Sequence, residues 1–297
     1  MITVMGATGH TGGAAAARLL DAGETIRVIG RSADRLQPLV ARGAEPAVGE
    51  ITDAAFLTRA FTGAEAIYVM VPPDYRDADY FGRYKRIGDA VQTALTAAGA
   101  TRIVLLSSVG AELPSGTGPI AGLYREEERL KQLPGIDLLI LRPGPFYENE
   151  FGTLGLIKHM GINGGVVPGN VPIQGIAAAD IGAFAADALR ARDFSGISVR
   201  ELFGPEDLTY DEITRITGEA IGKPDLKYVQ FPAQDYVNGL IQGAGFPKEI
   251  ADLFLEMSLA VAEDKLKFHG PRTPANTGKT TFEQFAKQAL APAYHKL

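Results

Sequence analysis

The 297 residues carry 29 lysines and arginines against 35 aspartates and glutamates, a formal net charge of −6, and contain no cysteine. An acidic balance without a basic block argues against duplex nucleic acid as a partner, and the lack of cysteine excludes disulfides, thiolate nucleophiles and cysteine-ligated metals. The four histidines, His10, His159, His269 and His295, are scattered without a ligand spacing, so no metal is expected. No apolar run approaches the roughly 18 residues of a membrane span, and the first residues show neither a basic n-region nor a cleavage-like site. The expectation is a cytoplasmic protein with no membrane contact, a monomer or homodimer.

In chain order, "ITVMG" reads as a strand and "TGGAAAARLLDAG" as a helix ending at Gly23. "TIRVIGR" is a second strand, and "SADRLQPLVARG" a helix with Ser32 as N-cap. "AEPAVGE" is a weak third strand, "TDAAFLTRAFTG" a helix, and "AIYVMV" a fourth strand closed by Pro72 and Pro73. A long helix is expected from about Asp77 to Ala98, then the near-continuously apolar strand "RIVLLSS", as suits burial on both faces. A helix around Ala121–Leu133 and the strand "DLLILRP" follow. This alternation predicts an α/β fold, a Rossmann-type doubly wound parallel sheet with right-handed crossovers, over residues 1–150.

After Asn149 the stretch 152–175 is glycine-rich and offers no clear helix, so a short strand pair or a loop over the site is expected. "ADIGAFAADALRA" reads as a helix with Asp180 as N-cap, and "VRELFGP" as a strand; residues 175–205 are expected to return to the first domain. Capping boxes are read at Thr209–Glu212 and Thr280–Glu283. Residues 151–174 and 206–297, mostly helical with one strand near "LKYVQF", are expected to form a smaller substrate-binding lobe.

The opening Gly6-x-x-Gly9-x-x-Gly12 lies between a strand and a helix, the context a dinucleotide-binding turn requires. Gly6 permits the tight turn, Gly9 the approach of a pyrophosphate, and Gly12 close packing of helix on strand. The helix start at His10 offers unpaired N–H groups to phosphate, and Thr8 and Thr11 add hydroxyl donors. No carboxylate follows the second strand directly. Arg31 stands at its tip and Arg35 a turn further on, cations suited to a 2′-phosphate, so NADP(H) is favoured over NAD(H). Asp34 reads as a first-turn helix charge. The carboxyl ends of the other strands add Glu50, Val71–Pro73, Ser107–Gly110 and Pro143–Asn149, with Val71, Pro72 and Ser107 as candidate cofactor contacts.

The segments "GATGHTGG" (6–13), "GEITD" (49–53), "VPPDY" (71–75), "LLSSVGAE" (105–112), "LRPGPFYEN" (141–149), "DIGAFAADAL" (180–189) and "RTPANTGKTTFEQF" (272–285) together resemble the NmrA-like branch of the atypical short-chain dehydrogenases/reductases. The resemblance implies a Rossmann domain, a smaller helical lobe and a cleft between them. Its members include NADPH-dependent quinone and triphenylmethane-dye reductases, and also regulators that sense NADP without turning it over. It further implies Phe146 beside the nicotinamide. In the wider superfamily a serine after the fifth strand and a Tyr-x-x-x-Lys pair carry proton transfer. Here Ser108 and Tyr124 match, but Glu128 occupies the lysine position, where a carboxylate raises a phenol's pKa. Lys131 lies about 10 Å further along the helix, beyond direct contact with Tyr124.

The expectation is therefore a reductase that passes hydride to a small planar acceptor such as a quinone, with Tyr124 and Ser108 as candidate catalytic groups. Tyr75, Tyr147 and Asn149 are candidate substrate contacts. Core packing is expected for Phe81 and Tyr84. The alternative is a non-catalytic NADP(H) sensor acting through a protein partner.

Overall fold

The computed structural model describes residues 1–297. Its centre is a seven-stranded, wholly parallel sheet. The strands are β1 (Ile2–Val4), β2 (Ile26–Gly30), β3 (Glu45–Val48), β4 (Ala66–Val69), β5 (Arg102–Leu106), β6 (Asp137–Pro143) and, much later in the chain, β9 (Ile197–Leu202). Their order is β3-β2-β1-β4-β5-β6-β9. The order reverses between β1 and β4, where a doubly wound sheet leaves a crevice at its carboxyl edge.

Alternate residues of each strand feed two separate cores. Val4, Val28, Tyr68, Val104 and Leu139 face α1 (His10–Asp21), α2 (Ala33–Val40) and α7 (Ala178–Ala191). Met5, Ile29, Ile67, Val69, Ile103 and Ile140 face α3 (Ala54–Phe61), α4 (Tyr80–Ala97) and α5 (Ala121–Lys131). Burial on both faces explains why these strands read as continuous apolar runs. Ser32 caps α2 as expected, accepting from the Arg35 N–H at 3.4 Å.

A third core joins Tyr147, Leu154 and Ile157 to residues from α8 (Tyr210–Ala220), α11 (Phe282–Phe285), the π-turn Ala286–Leu290 and α12 (Ala291–Lys296). Here the structure corrects several expectations. The glycine-rich stretch contains a helix, α6 (Leu154–Met160), closed by Gly161 at φ 70°. Glycines at 152, 155 and 161 conceal the Leu154–Ile157 pair that enters the core. The short strands β7 (Asn163–Gly165) and β8 (Pro172–Ile173) do not pair with each other. β7 runs parallel to β11 (Tyr228–Gln230), and β8 antiparallel to β10 (Leu208–Thr209). Helix α4 starts at Tyr80, because Asp79 caps it through the Gly82 N–H.

The N-cap of α7 is Ala177, not Asp180. Asp180 lies inside the first turn and accepts from the Thr280 N–H at 2.9 Å, tying the C-terminal segment to α7. The capping box at Thr209–Glu212 is present, whereas the second one is formed by Thr281 and Gln284, one residue later than read. Two further helices, α9 (Ala233–Gln242) and α10 (Lys248–Ala262), form a hairpin that returns to the sheet's carboxyl edge. There Phe246 and Phe254 pack on Tyr75, and the Leu253 carbonyl fills the space beside Gly118. No helix is long and apolar enough to cross a membrane.

Candidate active site

The glycine turn sits at the β1–β4 crevice. Gly6 takes φ +65°, and its carbonyl accepts from the Gly9 N–H at 2.9 Å, closing the turn. A Cβ on Gly12 would stand 2.5 Å from the Gly6 oxygen and 2.7 Å from that of Met5, so only glycine lets α1 start this close to the strand. Helix α1 has no side-chain cap at Gly9 and no acidic residue in its first turn, so no side chain of its own caps its first N–H groups. This backbone cradle fits a pyrophosphate.

Around the cradle the expected cofactor residues divide. Thr8 sits beside the end of β2, its methyl group 3.3 Å from where a Gly30 Cβ would stand. The Arg35 guanidinium donates to the Thr8 carbonyl at 3.1 Å and so lies against the turn, while Arg31 is exposed and engages no protein group. Val71 is buried, its carbonyl accepting from the Tyr84 hydroxyl at 3.4 Å, and Pro72 is half-buried beside it. His10 is exposed, its ring stacked 6.4 Å from Phe151 of the loop after β6. Phe146 is half-buried at the exit of β6, in a bridge to Ile176.

Two hydroxyls expected near the cofactor turn inward. The Thr11 hydroxyl is buried and accepts from the Tyr68 hydroxyl at 3.1 Å, so Thr11 presents only its backbone to the cradle. Ser107 is buried and donates to the Glu127 carboxylate at 2.6 Å. Ser108, the other strand-end serine, is half-buried and donates to the Val109 carbonyl at 3.0 Å. Among the aromatics, Tyr147 does not face a ligand. It is buried in the third core against Phe282 and Phe285. The Tyr75 ring packs on Phe254, Phe246 and Tyr80, and burial pushes its phenol up to about 12. Asn149 is exposed. Tyr84 is buried in the sheet core, and Phe81 packs at that core's margin under the Arg125 guanidinium, as expected.

Tyr124 is half-buried on α5, and its hydroxyl bonds no protein group. Glu128, in the lysine position, pairs instead with Lys131 at 2.9 Å, and Lys131 also reaches Glu127 at 3.2 Å. The larger surprise is Glu127 itself. It is fully buried and paired bidentately with Arg142 of β6, at 2.9 and 2.6 Å. Arg142 also reaches Glu112 at 3.0 Å, and Glu112 meets the His269 ring at 3.2 Å. The run "YREEERLK" conceals that two of its three glutamates, Glu126 and Glu127, go inside. The signal that could have found the pair is Arg142, a charge that follows four consecutive apolar residues, Leu138–Leu141, toward the buried end of the strand.

The segment between α10 and α11 runs as a strap over this network. The His269 and Gly270 N–H groups donate to Glu201 of β9 at 2.9 and 2.7 Å, and Phe268 stacks on Phe203 with ring centres 4.1 Å apart. Leu266 lies over Gly110, the glycine that follows the β5 serines.

A parallel sheet whose strand order reverses beside a glycine turn, with a helical hairpin and a strap packed at its carboxyl edge, defines a Rossmann-type protein. The chain belongs to the NmrA-like family, whose model matches residues 1–286. It is 29% identical to the (4-alkanoyl-5-oxo-2,5-dihydrofuran-3-yl)methyl phosphate reductase of Streptomyces griseus, over 86% of this chain and 85% of that protein. It is 27% identical to the NAD(P)H azoreductase of Xenophilus azovorans, over 98% of both chains. Among solved structures it resembles the NADPH-dependent quinone oxidoreductase of Escherichia coli in complex with NADPH. The TM-score there is 0.80 and the identity 22%, over 98% of this chain and all of that one.

Proposed function

We propose that the protein is a reductase that binds NADP(H) in preference to NAD(H) and passes hydride to a small planar, electron-poor acceptor such as a quinone. The observation that carries this reading is the uncapped glycine cradle at the β1–β4 crevice with an unpaired arginine, Arg31, at the adjoining strand tip. Curated relatives that are themselves reductases support it. When bound, the dinucleotide supplies hydride. The chain's part is to hold the pyrophosphate on the Gly6–Gly12 backbone, to meet a 2′-phosphate with Arg31, and to orient the acceptor beside Phe146 and Ser108. With Glu128 in the lysine position and paired to Lys131, the tyrosine–lysine proton relay is incomplete, and Tyr124 serves as a hydrogen-bond partner of the acceptor. Orientation, with water excluded by the strap and the α9–α10 hairpin, then carries most of the rate.

The Glu128–Lys131 pair also favours a second reading, a dinucleotide sensor without turnover. One measurement separates them: NADPH absorbance followed with a panel of quinones and azo dyes. Oxidation of NADPH that depends on the acceptor is expected. Tight NADPH binding with no oxidation by any acceptor overturns the reductase reading.

A further inference from the structure

The chain leaving β6 makes a short 3-10 stretch, Tyr147–Thr153, whose side chains go separate ways. Tyr147 and Phe151 enter the third core, and the Glu148 carboxylate accepts from the Ala178 N–H at 2.9 Å. Glu150 does none of this. Its backbone carbonyl accepts from the Thr153 hydroxyl at 3.0 Å, but its half-buried carboxyl has no hydrogen-bond or ion-pair partner. No cation lies near enough to favour its charged form, and burial pushes its pKa up to about 7.

What surrounds it is phenolic. Tyr210 opens α8, Tyr228 lies on β11 and Tyr236 on α9. The Tyr210 and Tyr228 rings are 5.5 Å apart, and the Glu150 charge raises the pKa of both. Tyr236 adds to the same effect, and Asp211 also acts on Tyr228. The Tyr228 hydroxyl donates to the Val167 carbonyl at 2.8 Å and that of Tyr236 meets Ser258 of α10 at 3.4 Å, while the Tyr210 hydroxyl bonds no protein group. The position of this cluster follows from α10. Phe254 packs on Tyr75 at the end of β4, and Ser258 meets Tyr236 four residues later, about 6 Å along the helix. One helix thus spans the strand ends and the tyrosine cluster, and Phe151, the residue after Glu150, stacks its ring 6.4 Å from that of His10 at the start of the glycine cradle, so the Glu150 stretch lies between the cluster and the cofactor turn.

A lone carboxyl among aromatic rings is unfavourable when ionised and, when neutral, is a strong hydrogen-bond donor. We infer that Glu150 is the acid on the acceptor side of the cleft: its neutral carboxyl hydrogen-bonds a carbonyl oxygen of a flat, uncharged acceptor held against Tyr210, Tyr228 and Tyr236, and gives that oxygen its proton during reduction. The inference rests on the reductase reading and assigns the proton that the incomplete tyrosine–lysine pair leaves unassigned. The electrons balance. The dihydronicotinamide C–H bond breaks and its hydride forms a new bond to the acceptor; the Glu150 O–H bond breaks and an acceptor O–H bond forms. The nicotinamide is oxidised, the acceptor is reduced by two electrons, and solvent reprotonates Glu150.

The test has a binding arm and a turnover arm. In the first, 2-methyl-1,4-naphthoquinone is titrated into the NADP⁺-loaded full chain by equilibrium dialysis, where no turnover is possible. Wild-type affinity should fall at least about tenfold between about pH 6 and pH 8.5, with a midpoint near 7. Glu150→Gln should keep the acid-side affinity and lose the pH dependence, because the amide still donates. In the second arm, with NADPH, Glu150→Gln should lower kcat at least about tenfold with KM little changed, since an amide has no proton to transfer. Wild-type binding that does not vary with pH overturns the inference and needs no variant; so does an unchanged kcat in Glu150→Gln. A wild type that binds NADPH but does not oxidise it with any acceptor tried overturns the reductase reading instead, and the binding arm still decides whether Glu150 meets the acceptor.

Discussion

At the scale of single residues, charge placement separates the groups available to a ligand from those the fold consumes. Arg31 is exposed and unpaired, whereas Arg35 holds the Thr8 carbonyl. Arg31→Ala should therefore weaken NADPH binding by about 5- to 30-fold and leave NADH binding nearly unchanged, as titration of each dinucleotide would record. An equal loss for both would assign the preference elsewhere. Glu126 illustrates a group the fold tolerates at a cost. It is 2% exposed, one carboxylate oxygen pairs with Arg129 at 3.2 Å, the other has no partner, and burial pushes its pKa up to about 7. Below the unfolded pKa of 4.5 both states hold the proton and Glu126 costs nothing. Between there and about 7 the unfolded chain releases it while the folded chain keeps it, so stability falls; above 7 the full cost persists. Glu126→Gln should gain on the wild type by on the order of 2 kcal/mol between about pH 5 and pH 8, read from urea melts at the two pH values. Glu150 acts with the same sign.

At the scale of elements, the close crossing of α1 and α7 aims the phosphate cradle. A Cβ on Gly182 would stand 2.6 Å from the Ala14 Cβ and 2.7 Å from the Thr11 carbonyl, and a backbone oxygen cannot step aside. Gly182→Ala should push the helices apart, cost about 1–3 kcal/mol and weaken NADPH binding together with stability, as melts and titration on one preparation would show. Most elements were legible beforehand, because period-2 and period-3.6 patterns come from local geometry. The failures have local causes as well. α6 hides among glycines, and the Thr281–Gln284 box differs by one residue from an equally well-formed reading at Thr280–Glu283. Asp180 has the composition of an N-cap, but its carboxylate binds a segment 100 residues away.

At the scale of the whole molecule, the Ser107–Glu127–Arg142–Glu112–His269 chain connects β5, α5, β6 and the strap, which makes the carboxyl edge one cooperative unit. Arg142→Met leaves a fully buried Glu127 charge with Lys131 as its remaining ion-pair partner, and should cost about 3–5 kcal/mol in urea unfolding. Adding Glu127→Gln to that variant should recover part of the loss, since removing both charges is far less damaging than stranding one.

The sequence by itself determined the doubly wound sheet, the cradle at Gly6–Gly12 and the cation at the tip of β2, because each depends on residues within one strand–turn–helix unit. Only the tertiary structure decided which polar groups face the cleft. It turned the Thr11 and Ser107 hydroxyls inward, buried Tyr147, and set Glu150 among tyrosines from three distant elements. The physical reason is that a side chain's partners are fixed by packing between elements far apart in the chain, and a helical charge run such as that on α5 looks the same from within whether it meets water or a buried arginine.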